Sequence, residues 1–515
     1  MAGFGVAFGI ALPAVSNMVG RMDMISAFPQ ARPRLDWRSF WLVLALAFVG
    51  AASFQGSRGL YETTEGRYAE CARETMVAGD FDDPILNGQP HWSKPPLTYV
   101  AIMAGTRVLG NNPWGVRAYL VVAMVFASGA IWLAGRSIWG AGAGLWAGMV
   151  FATSPIVAGA ANVASADMLT TLWAAMALAA FWRGFARRSP ISLLATWIFL
   201  GLGLLTKGPP ALLVPAVTLS VAAYVLLKNG TWRIGGQMFG LGLGLFLALG
   251  AGWYVSEAEH TPGLFSYWIG TELIERNVSD VMQRNPGFRY AFSMYLPILM
   301  LGTGPWLPLA LWRGRPLKAW LHDEEDRSVW SRAVRLSLLA GVAVPFAVFS
   351  LSRSKLPLYL VPLFVPLSLV LGRMIEVLIV QGRLRARMAY GWAGFLLALI
   401  VACKGASALV DNPSDMTRLA AALAPALDRE KSLQLYTVAG HPQNGLEFHL
   451  GRLIEPVPSE SLFQHMRKGA IEGRDAGYLI KRKNWVRLSS QAPGRVREEP
   501  LGKHWLLIRP EAGEW

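Results

Sequence analysis

Long apolar runs separated by short basic stretches constrain this chain more than any other feature. Most of the runs between residues 39 and 409 reach the roughly 17 residues that a helix needs to cross the hydrocarbon core of a bilayer. With 53% hydrophobic and only 16% charged residues, the 515-residue chain is too apolar for an ordinary soluble protein. The sequence therefore predicts an all-α polytopic membrane protein.

The formal net charge of +15 is concentrated at the ends of the apolar runs. Cytoplasmic loops of membrane proteins carry an excess of Lys and Arg, so the charge needs no nucleic acid to explain it. Arg32, Arg34 and Arg38 precede the first run and place the N-terminus in the cytoplasm. We predict no nucleic-acid partner and a lipid bilayer as the environment.

About eleven spans satisfy the charge pattern, with the N-terminus inside and the C-terminus outside. The piece 97–109 is too short to cross and ends at Asn111-Asn112-Pro113, so we predict an interfacial helix there. The outer loops are then 57–112 and 256–289. The predicted spans are 39–56, 113–134, 139–159, 167–185, 190–206, 210–227, 235–255, 290–312, 333–351, 356–372 and 388–409.

Three regions follow from this pattern. Residues 1–38 form a cytoplasmic segment, and Met18, Met22 and Met24 leave an alternative start site open. Residues 39–410 form the transmembrane domain. Residues 411–515 lose the long runs, and strand-like pieces at Ser432–Val438 and Tyr478–Lys481 with a helical stretch near 459–468 predict a small α/β domain on the outer side.

The first outer loop carries an unusual density of ionisable residues. The run has helical spacing, and holding charges against a membrane span is costly, which makes it a candidate functional site. A solvent-exposed helix laced with ion pairs is the alternative. The loop ends at Lys94-Pro95-Pro96, where the prolines favour the start of a second short helix. The ionisable residues are Glu62, Glu65, Arg67, Glu70, Arg73 and Glu74.

This loop resembles the first periplasmic loop of polyprenyl-phosphate-dependent sugar transferases, with the motif D-E-x-R-Y-A-E, G-D-W, E-K-P-P. The resemblance is to the GT-C type superfamily, which includes the aminoarabinose transferases of lipid A and the protein O-mannosyltransferases (glycosyltransferase families 39 and 83). Further blocks follow in the expected order, all on the predicted outer face. The blocks are Thr64–Glu70, Gly79-Asp80-Phe81, Ser93–Pro96, Asp167-Met168, Thr206–Pro209, Glu275-Arg276 and Ser354–Pro357 with Tyr359.

The resemblance implies an integral membrane glycosyltransferase that moves a sugar from a polyprenyl-phosphate donor to an acceptor. The acceptor would be a hydroxyl or phosphate of lipid A or another envelope glycolipid, at the periplasmic face of a bacterial inner membrane. One alternative is a protein O-mannosyltransferase-like enzyme with a protein acceptor. Others are a lipid or oligosaccharide transporter and a non-catalytic relative that binds lipid phosphate.

Such a transfer needs cations on the leaving phosphate, where negative charge builds up in the transition state. We assign this role to Lys94, Lys207, Lys355 and Arg276, with Tyr359 as a hydrogen-bond donor. A lysine at a helix end also fits simple snorkelling to the membrane surface, and Tyr359 fits an aromatic belt.

The transfer also needs a base for an acceptor hydroxyl. The family's first acid is replaced here by Thr64, so we assign the base to Glu65, with Glu62 as the second choice. Asp167 is expected to support catalysis or to cap the following helix. The rest of the motif, Arg67, Tyr68 and Glu70, is expected to support the site.

The aminoarabinose transferases carry a glutamate where Ser93 stands and a histidine near Leu273, a pair associated with a metal. Both are missing here. We predict no metal site and no cofactor, and leave a divalent cation open.

Overall fold

The structure is a computed structural model that describes residues 36–79, 81–232, 235–275, 285, 287–312, 328–438 and 441–511. Within those residues the protein is mostly helical, with a small sheet close to the C-terminus. The predicted fold class, a helical membrane protein with a C-terminal α/β domain, is confirmed.

Eight helices in the described part of the chain are long and apolar enough to span a membrane, so the protein is a multi-pass membrane protein. The predicted total of about eleven spans stays a prediction, because several shorter apolar helices accompany them. The eight are Pro113–Trp139, Ala166–Arg187, Pro190–Lys207, Pro209–Lys228, Gly236–His260, Val329–Leu351, Pro357–Val380 and Ala386–Leu409. The shorter ones are Trp37–Ala52, Leu97–Leu109, Ala141–Ala152 and Ala291–Leu301.

Two segments predicted as single spans are interrupted. The segment 139–159 divides into the helices Ala141–Ala152 and Pro155–Ala160, because a proline favours the start of a helix over its interior. The segment 290–312 divides into Ala291–Leu301 and Trp306–Trp312. Gly304 lies in the gap with a φ of +63°, a conformation that ends helices.

Burial distinguishes the inside of the bundle from its lipid-facing side. In the most apolar windows of Pro113–Trp139 and Ala166–Arg187, 72% and 83% of residues are buried, whereas in Gly236–His260 only 11% are. The first two helices therefore form the centre of the bundle and hold the charged residues described below. The third faces the lipid along most of its length.

The first outer loop contains the predicted helix, Thr64–Ala78, which we call the loop helix. It ends at Gly79, whose φ of +73° suits glycine. Glu62 lies before its first residue, outside the helix. A short hairpin of β1 (Ile85–Leu86) and β2 (Gln89–Pro90) follows. The second predicted helix spans Leu97–Leu109.

The C-terminal domain is a five-stranded sheet in the order β4-β3-β5-β7-β6, in which β3 pairs in parallel with β4 and β5, and β7 is antiparallel to β5 and β6. One face packs against Met416–Arg429 and the other against Leu462–Ile471 and Arg482–Leu488. The strands are β3 Gln434–Val438, β4 Glu455–Pro456, β5 Ala476–Lys481, β6 Val496–Leu501 and β7 Trp505–Pro510.

The C-terminal domain lies against the first outer loop. Tyr61 forms a β-bridge with Asp415, and the Met416 amide donates to the Leu60 carbonyl at 3.0 Å. The helix Asn444–Leu450, which we call the docking helix, packs on the loop helix. The first outer loop and the C-terminal domain therefore lie on the same side of the membrane.

Candidate functional site

A cavity of about 310 Å³ lies where the first outer loop meets the ends of several spans. Lys94 and Lys207 reach it from different segments, and Glu272 and Tyr359 also line it. The combination of cations with an apolar wall suits an amphiphile that has an anionic headgroup. Much of the remaining wall is aromatic, formed by Trp92, Tyr254, Phe265, Trp268 and Phe349.

Lys207 connects two of the sequence blocks. It is the last residue of the helix Pro190–Lys207, where Gly208 at a φ of +81° turns the chain sharply. Its ammonium group forms an ion pair with the Asp167 carboxylate. The same nitrogen lies 4.6 Å from the centre of the Tyr359 ring. Three predicted site residues therefore meet at one point.

Asp167 lies at the start of the helix Ala166–Arg187. The cap of this helix is Ser165, so Asp167 is not the capping residue. The Ser165 hydroxyl donates to Oδ2 of Asp167 at 3.0 Å, and Lys207 takes Oδ1. The next turn of the helix places Thr170 in the cavity wall. Asp167 is thus a buried carboxylate held at the edge of the cavity.

Tyr68 brings the loop helix to this group. It is buried, its ring lies 5.5 Å from that of Tyr99, and it lies within electrostatic reach of Asp167 and Lys207. Burial raises the pKa of the Tyr68 phenol, which keeps its hydroxyl proton. The half-buried Arg67 lies over the Tyr68 ring at 6.0 Å.

Lys94 lines the cavity from the end of the first outer loop. Its Nζ donates to the Ser93 carbonyl at 2.7 Å and to Oε2 of Glu272 at 3.1 Å. The Trp268 indole donates to the Trp92 carbonyl at 2.8 Å, so the second outer loop is bound to the first. The sequence prediction missed Glu272; an acidic residue in the predicted second outer loop was the available signal.

Two of the predicted phosphate ligands differ from the others. Lys355 is 2% exposed and donates to the Ser352 carbonyl; its neighbours Ser352 and Tyr359 line the cavity, but within the described residues Lys355 does not. Arg276, like Asp80 of the first-loop motif, lies outside the described residues. The structure thus brings Lys94, Lys207 and Tyr359 to one cavity, with Lys355 beside it.

Glu65 lies in a separate, fully enclosed ion cluster. Its carboxylate accepts two hydrogen bonds from Arg58 at 2.6 and 3.1 Å and two from Arg117 at 2.8 Å each. The backbone amides of Tyr61 and Ala164 add two more, at 3.2 and 2.9 Å. The six donors exceed the roughly four lone-pair sites of a carboxylate, so no acceptor position is left for another group.

The two arginines determine the charge of Glu65. Burial alone would raise its pKa, but the charges and hydrogen bonds of Arg117 and Arg58 lower the pKa to about 2. Arg117 is completely buried in the first residues of a span, and its guanidinium also donates to the Gln55 carbonyl at 3.0 Å. Glu65 therefore joins the first loop to a central span and to the segment that precedes Asp167.

A buried lysine adjoins this cluster. Lys404 is part of the helix Ala386–Leu409, and its Nζ donates to Oε1 of Gln55 at 3.0 Å and to the Gly50 carbonyl at 3.2 Å. The sequence prediction missed Arg58, Arg117 and Lys404. Charged residues within apolar runs were the available signal for the last two.

Glu62 and Glu70 face the C-terminal domain. Oε1 of Glu62 accepts the Gly445 amide of the docking helix, and Glu70 accepts two hydrogen bonds from Arg73 at 2.6 and 2.7 Å. Burial raises the pKa of each carboxyl to about 7, against the lowering effect of these donors. Glu447 of the docking helix is a third carboxyl at the same interface, and burial raises its pKa as well.

Comparisons with known proteins agree with this arrangement. A sequence-family profile described as dolichyl-phosphate-mannose-protein mannosyltransferase matches residues 93–254, the stretch that contains Lys94, Asp167 and Lys207. Undecaprenyl phosphate-alpha-4-amino-4-deoxy-L-arabinose arabinosyl transferases are similar in sequence. The one from Edwardsiella ictaluri is 31% identical over 352 residues, 65% of this chain and 59% of the relative. The one from Erwinia tasmaniensis is 31% identical over 61% of this chain and 55% of the relative.

The alignments thus span less than two thirds of these curated relatives. The fold is similar to the crystal structure of ArnT from Cupriavidus metallidurans bound to undecaprenyl phosphate, with a TM-score of 0.72 at 19% identity, over 93% of this chain and 99% of that one. An oligosaccharyltransferase from Archaeoglobus fulgidus gives a TM-score of 0.53 at 12% identity, over 92% and 74%. The predicted resemblance to the GT-C superfamily, of the aminoarabinose transferase type, is confirmed.

Proposed function

We propose that this chain, which shares the fold and the sequence motifs of GT-C glycosyltransferases of the aminoarabinose transferase type, transfers a sugar from a polyprenyl-phosphate donor to an envelope acceptor. The observation that carries the proposal is the cavity in which Lys94 and Lys207 meet an aromatic wall. Fixed cations bind the donor phosphate, and the apolar wall contacts the start of its lipid tail. ArnT bound to undecaprenyl phosphate supports this donor class.

The chemistry follows from the same geometry. An acceptor oxygen attacks the anomeric carbon of the sugar and forms the new C–O bond. The bond between that carbon and the phosphate oxygen breaks, and its electron pair leaves with the polyprenyl phosphate. Lys94 and Lys207 line the cavity, and in the proposed reaction they stabilise the growing charge on that phosphate. Preorganised cations of this kind act most strongly where water is excluded.

We assign the proton of an acceptor hydroxyl to Asp167 in preference to Glu65 or Glu62. A carboxylate with a pKa near 2 and six donors around it is a weak base, which argues against Glu65. Glu62 binds the docking helix. Asp167 adjoins the cavity through its ion pair with Lys207. A phosphate bound to Lys207 would compete for the ammonium group and so free the Oδ1 atom of Asp167 to accept a proton. An acceptor phosphate would need no base, because it is already ionised.

The acceptor and the location are further parts of the proposal. We place the cavity and the C-terminal domain at the periplasmic face of a bacterial inner membrane, with residues 39–410 as the catalytic domain and 411–515 as a separate outer domain. The segment 1–38, of which the structure describes only residues 36–38, would be cytoplasmic. An envelope glycolipid is the acceptor class that we propose. The name of the aminoarabinose relatives agrees with a lipid-linked donor. A requirement for a divalent cation is tested by transfer in the presence of a chelator.

The test is made in a strain of the source organism that lacks the gene, complemented with variants. We expect mass spectrometry of envelope glycolipids to show one sugar-sized adduct with the wild type. Lys94→Ala and Lys207→Ala should each lower its amount at least about 100-fold, because each removes a preorganised cation from the leaving phosphate.

The matched control is Lys228→Ala. Lys228 is exposed and is also the last residue of a span, but its helix begins at Pro209, beside Lys207, so Lys228 lies at the far end of that helix from the cavity. It should retain the wild-type adduct. An unchanged set of glycolipids in the deletion strain and in every variant, with equal expression, would contradict the proposed transfer.

A further inference from the structure

We propose that the C-terminal domain rests on the membrane through a basic face that binds the phosphate headgroups of anionic lipids. The face consists of Arg482, Lys483 and Arg487 on the helix Arg482–Leu488 and of Lys503 in the turn between β6 and β7. The inference concerns a surface outside the cavity and does not depend on which sugar or acceptor is used.

The position of this face follows from a short series of contacts. The last span ends at Leu409, and Asp411 follows two residues later. Oδ2 of Asp411 lies 3.9 Å from Nζ of Lys503 and 3.6 Å from Nε2 of His504. The Arg482 amide donates to the His504 carbonyl at 2.8 Å. The start of the helix Arg482–Leu488, which we call the basic helix, is therefore close to the level at which the last span leaves the bilayer.

The basic helix packs on the sheet through Trp485, which leaves its cations on the outward side. Trp485 is 3% exposed, packs on the sheet and donates from its indole to Glu498 at 2.7 Å. The three cations of the helix are exposed on the other side. Within the part of the chain that the structure describes, no acidic side chain forms an ion pair with any of them. Their charge is thus available to a partner outside the chain.

Exposed apolar side chains on the basic helix and at the end of the last span favour a lipid surface over another acidic partner. Val486 is 70% exposed within the basic helix, and Leu409 and Val410 at the end of the last span are 85% and 56% exposed. Cations beside exposed apolar groups are typical of surfaces that lie in the headgroup region. Each Lys or Arg close to an anionic membrane changes binding about fivefold, so several together provide a firm attachment.

This attachment would hold the domain in place over the first loop. The basic helix packs on one face of the sheet, while Met416–Arg429, which continues into the contact with the loop, packs on the other. A domain bound to lipid on one side keeps the docking helix against the loop helix. The lipid composition of the membrane therefore acts on the loop that carries Tyr68.

The test uses the full chain in lipid nanodiscs and a water-soluble reagent that acetylates lysines. In discs that contain phosphatidylglycerol, Lys483 and Lys503 should react at least about threefold more slowly than in discs of phosphatidylcholine alone. The protection should disappear in 1 M salt, where the Debye length falls to about 3 Å. Lys468, exposed on the helix Leu462–Ile471, is the internal control and should react equally in both discs.

A charge variant tests the cause of the protection. Arg482→Gln with Arg487→Gln should abolish most of the protection of Lys483, whereas Arg467→Gln with Arg497→Gln, an equal loss of exposed charge elsewhere in the domain, should leave it intact. Equal reactivity of Lys483 and Lys503 in the two kinds of disc would overturn the proposal. Neither readout requires transfer activity, so failure here is separate from failure of the proposed function.

Discussion

At the scale of single residues, two carboxylates have opposite environments. Glu65 is enclosed by two guanidinium groups and two backbone amides, so its carboxylate oxygens are occupied and cannot readily accept a proton. Asp167 shares one lysine with the cavity, so a bound phosphate changes its surroundings directly. We therefore assign Glu65 a positioning role: its bond to the Ala164 amide fixes the segment that leads to Asp167.

The two roles predict different losses. Asp167→Asn should lower transfer to a hydroxyl acceptor about 100-fold or more per folded molecule, because a positioned base contributes that much. Glu65→Gln should instead lower stability, by about 3–5 kcal/mol, because it leaves two buried arginines without their counter-ion. Its transfer rate, measured on the folded fraction, should stay within about tenfold of the wild type.

Thermal unfolding in detergent and transfer assays on the same samples make this comparison. Glu65→Asp is the matched control, since it retains the charge that the arginines require and should recover part of the stability. A Glu65→Gln variant that unfolds at the wild-type temperature and yet transfers no sugar would contradict the positioning role and restore Glu65 as the base.

The sequence predicted the residues of the cavity better than the role of Glu65. Lys94 and Lys207 lie beside a proline or a glycine at helix ends, and Tyr359 lies two residues after Pro357 near the start of a predicted span. The predicted topology alone brings these positions to one face. The role of Glu65 depends on Arg58 and Arg117, which lie 7 and 52 residues away. No spacing rule predicts that two such arginines converge on one carboxylate, so the burial of the cluster was not predictable.

At the scale of elements, the loop helix and the docking helix form a contact with several carboxyls. Glu62 and Glu70 come from the first loop and Glu447 from the docking helix. Other charged groups near them are Glu65, Arg67, Arg73, Glu74 and Lys481. Glu62 and Glu70 have a pKa of about 7 in the docked state, raised chiefly by burial. The contact therefore binds protons more tightly than the separated surfaces do.

This linkage predicts that docking weakens as pH rises. A raised pKa in the docked state contributes stability that is present below pH 4.5, declines as pH rises toward 7 and is absent above it. Each carboxyl accounts for at most about 3.5 kcal/mol, at about 1.4 kcal/mol per unit of pKa. Hydrogen exchange of the Gly445 amide, corrected for its intrinsic pH dependence, should be faster at pH 7.5 than at pH 5.5.

The Leu479 amide, within the central strand of the sheet, is the control and should show no such change. Glu62→Gln, which is neutral at both pH values, should reduce the difference for Gly445. If this variant and the wild type show the same pH dependence, Glu62 does not contribute to the effect.

Element boundaries show which sequence signals were sufficient. Apolar length predicted the helices Ala166–Arg187, Pro190–Lys207 and Val329–Leu351 to within a few residues. The same criterion failed at 139–159 and 290–312, because it did not weigh Pro155 or Gly304 against the apolar run around them. In the C-terminal domain, β3 and β5 were predicted as short strand-like pieces between turn residues. The strands β6, which carries three charged residues, and β7 were not predicted.

At the scale of the whole molecule, the cavity, the first loop and the C-terminal domain lie at one end of a helical bundle. Predicted topology had placed every motif on the outer face, and the contacts between Tyr61 and Asp415 and between Lys207 and Asp167 bring these segments together. The docking of the domain on the loop was not predictable, because its contacts join residues more than 350 positions apart, such as Leu60 with Thr417.

The central claim is that the cavity binds a polyprenyl phosphate through Lys94 and Lys207. The most direct measurement is native mass spectrometry of the purified chain titrated with undecaprenyl phosphate. The double variant Lys94→Ala with Lys207→Ala should bind at least about 100-fold more weakly than the wild type, because each charged hydrogen bond contributes about 1.5–3 kcal/mol. Lys228→Ala should bind like the wild type. Equal affinity of the double variant and the wild type would contradict the account.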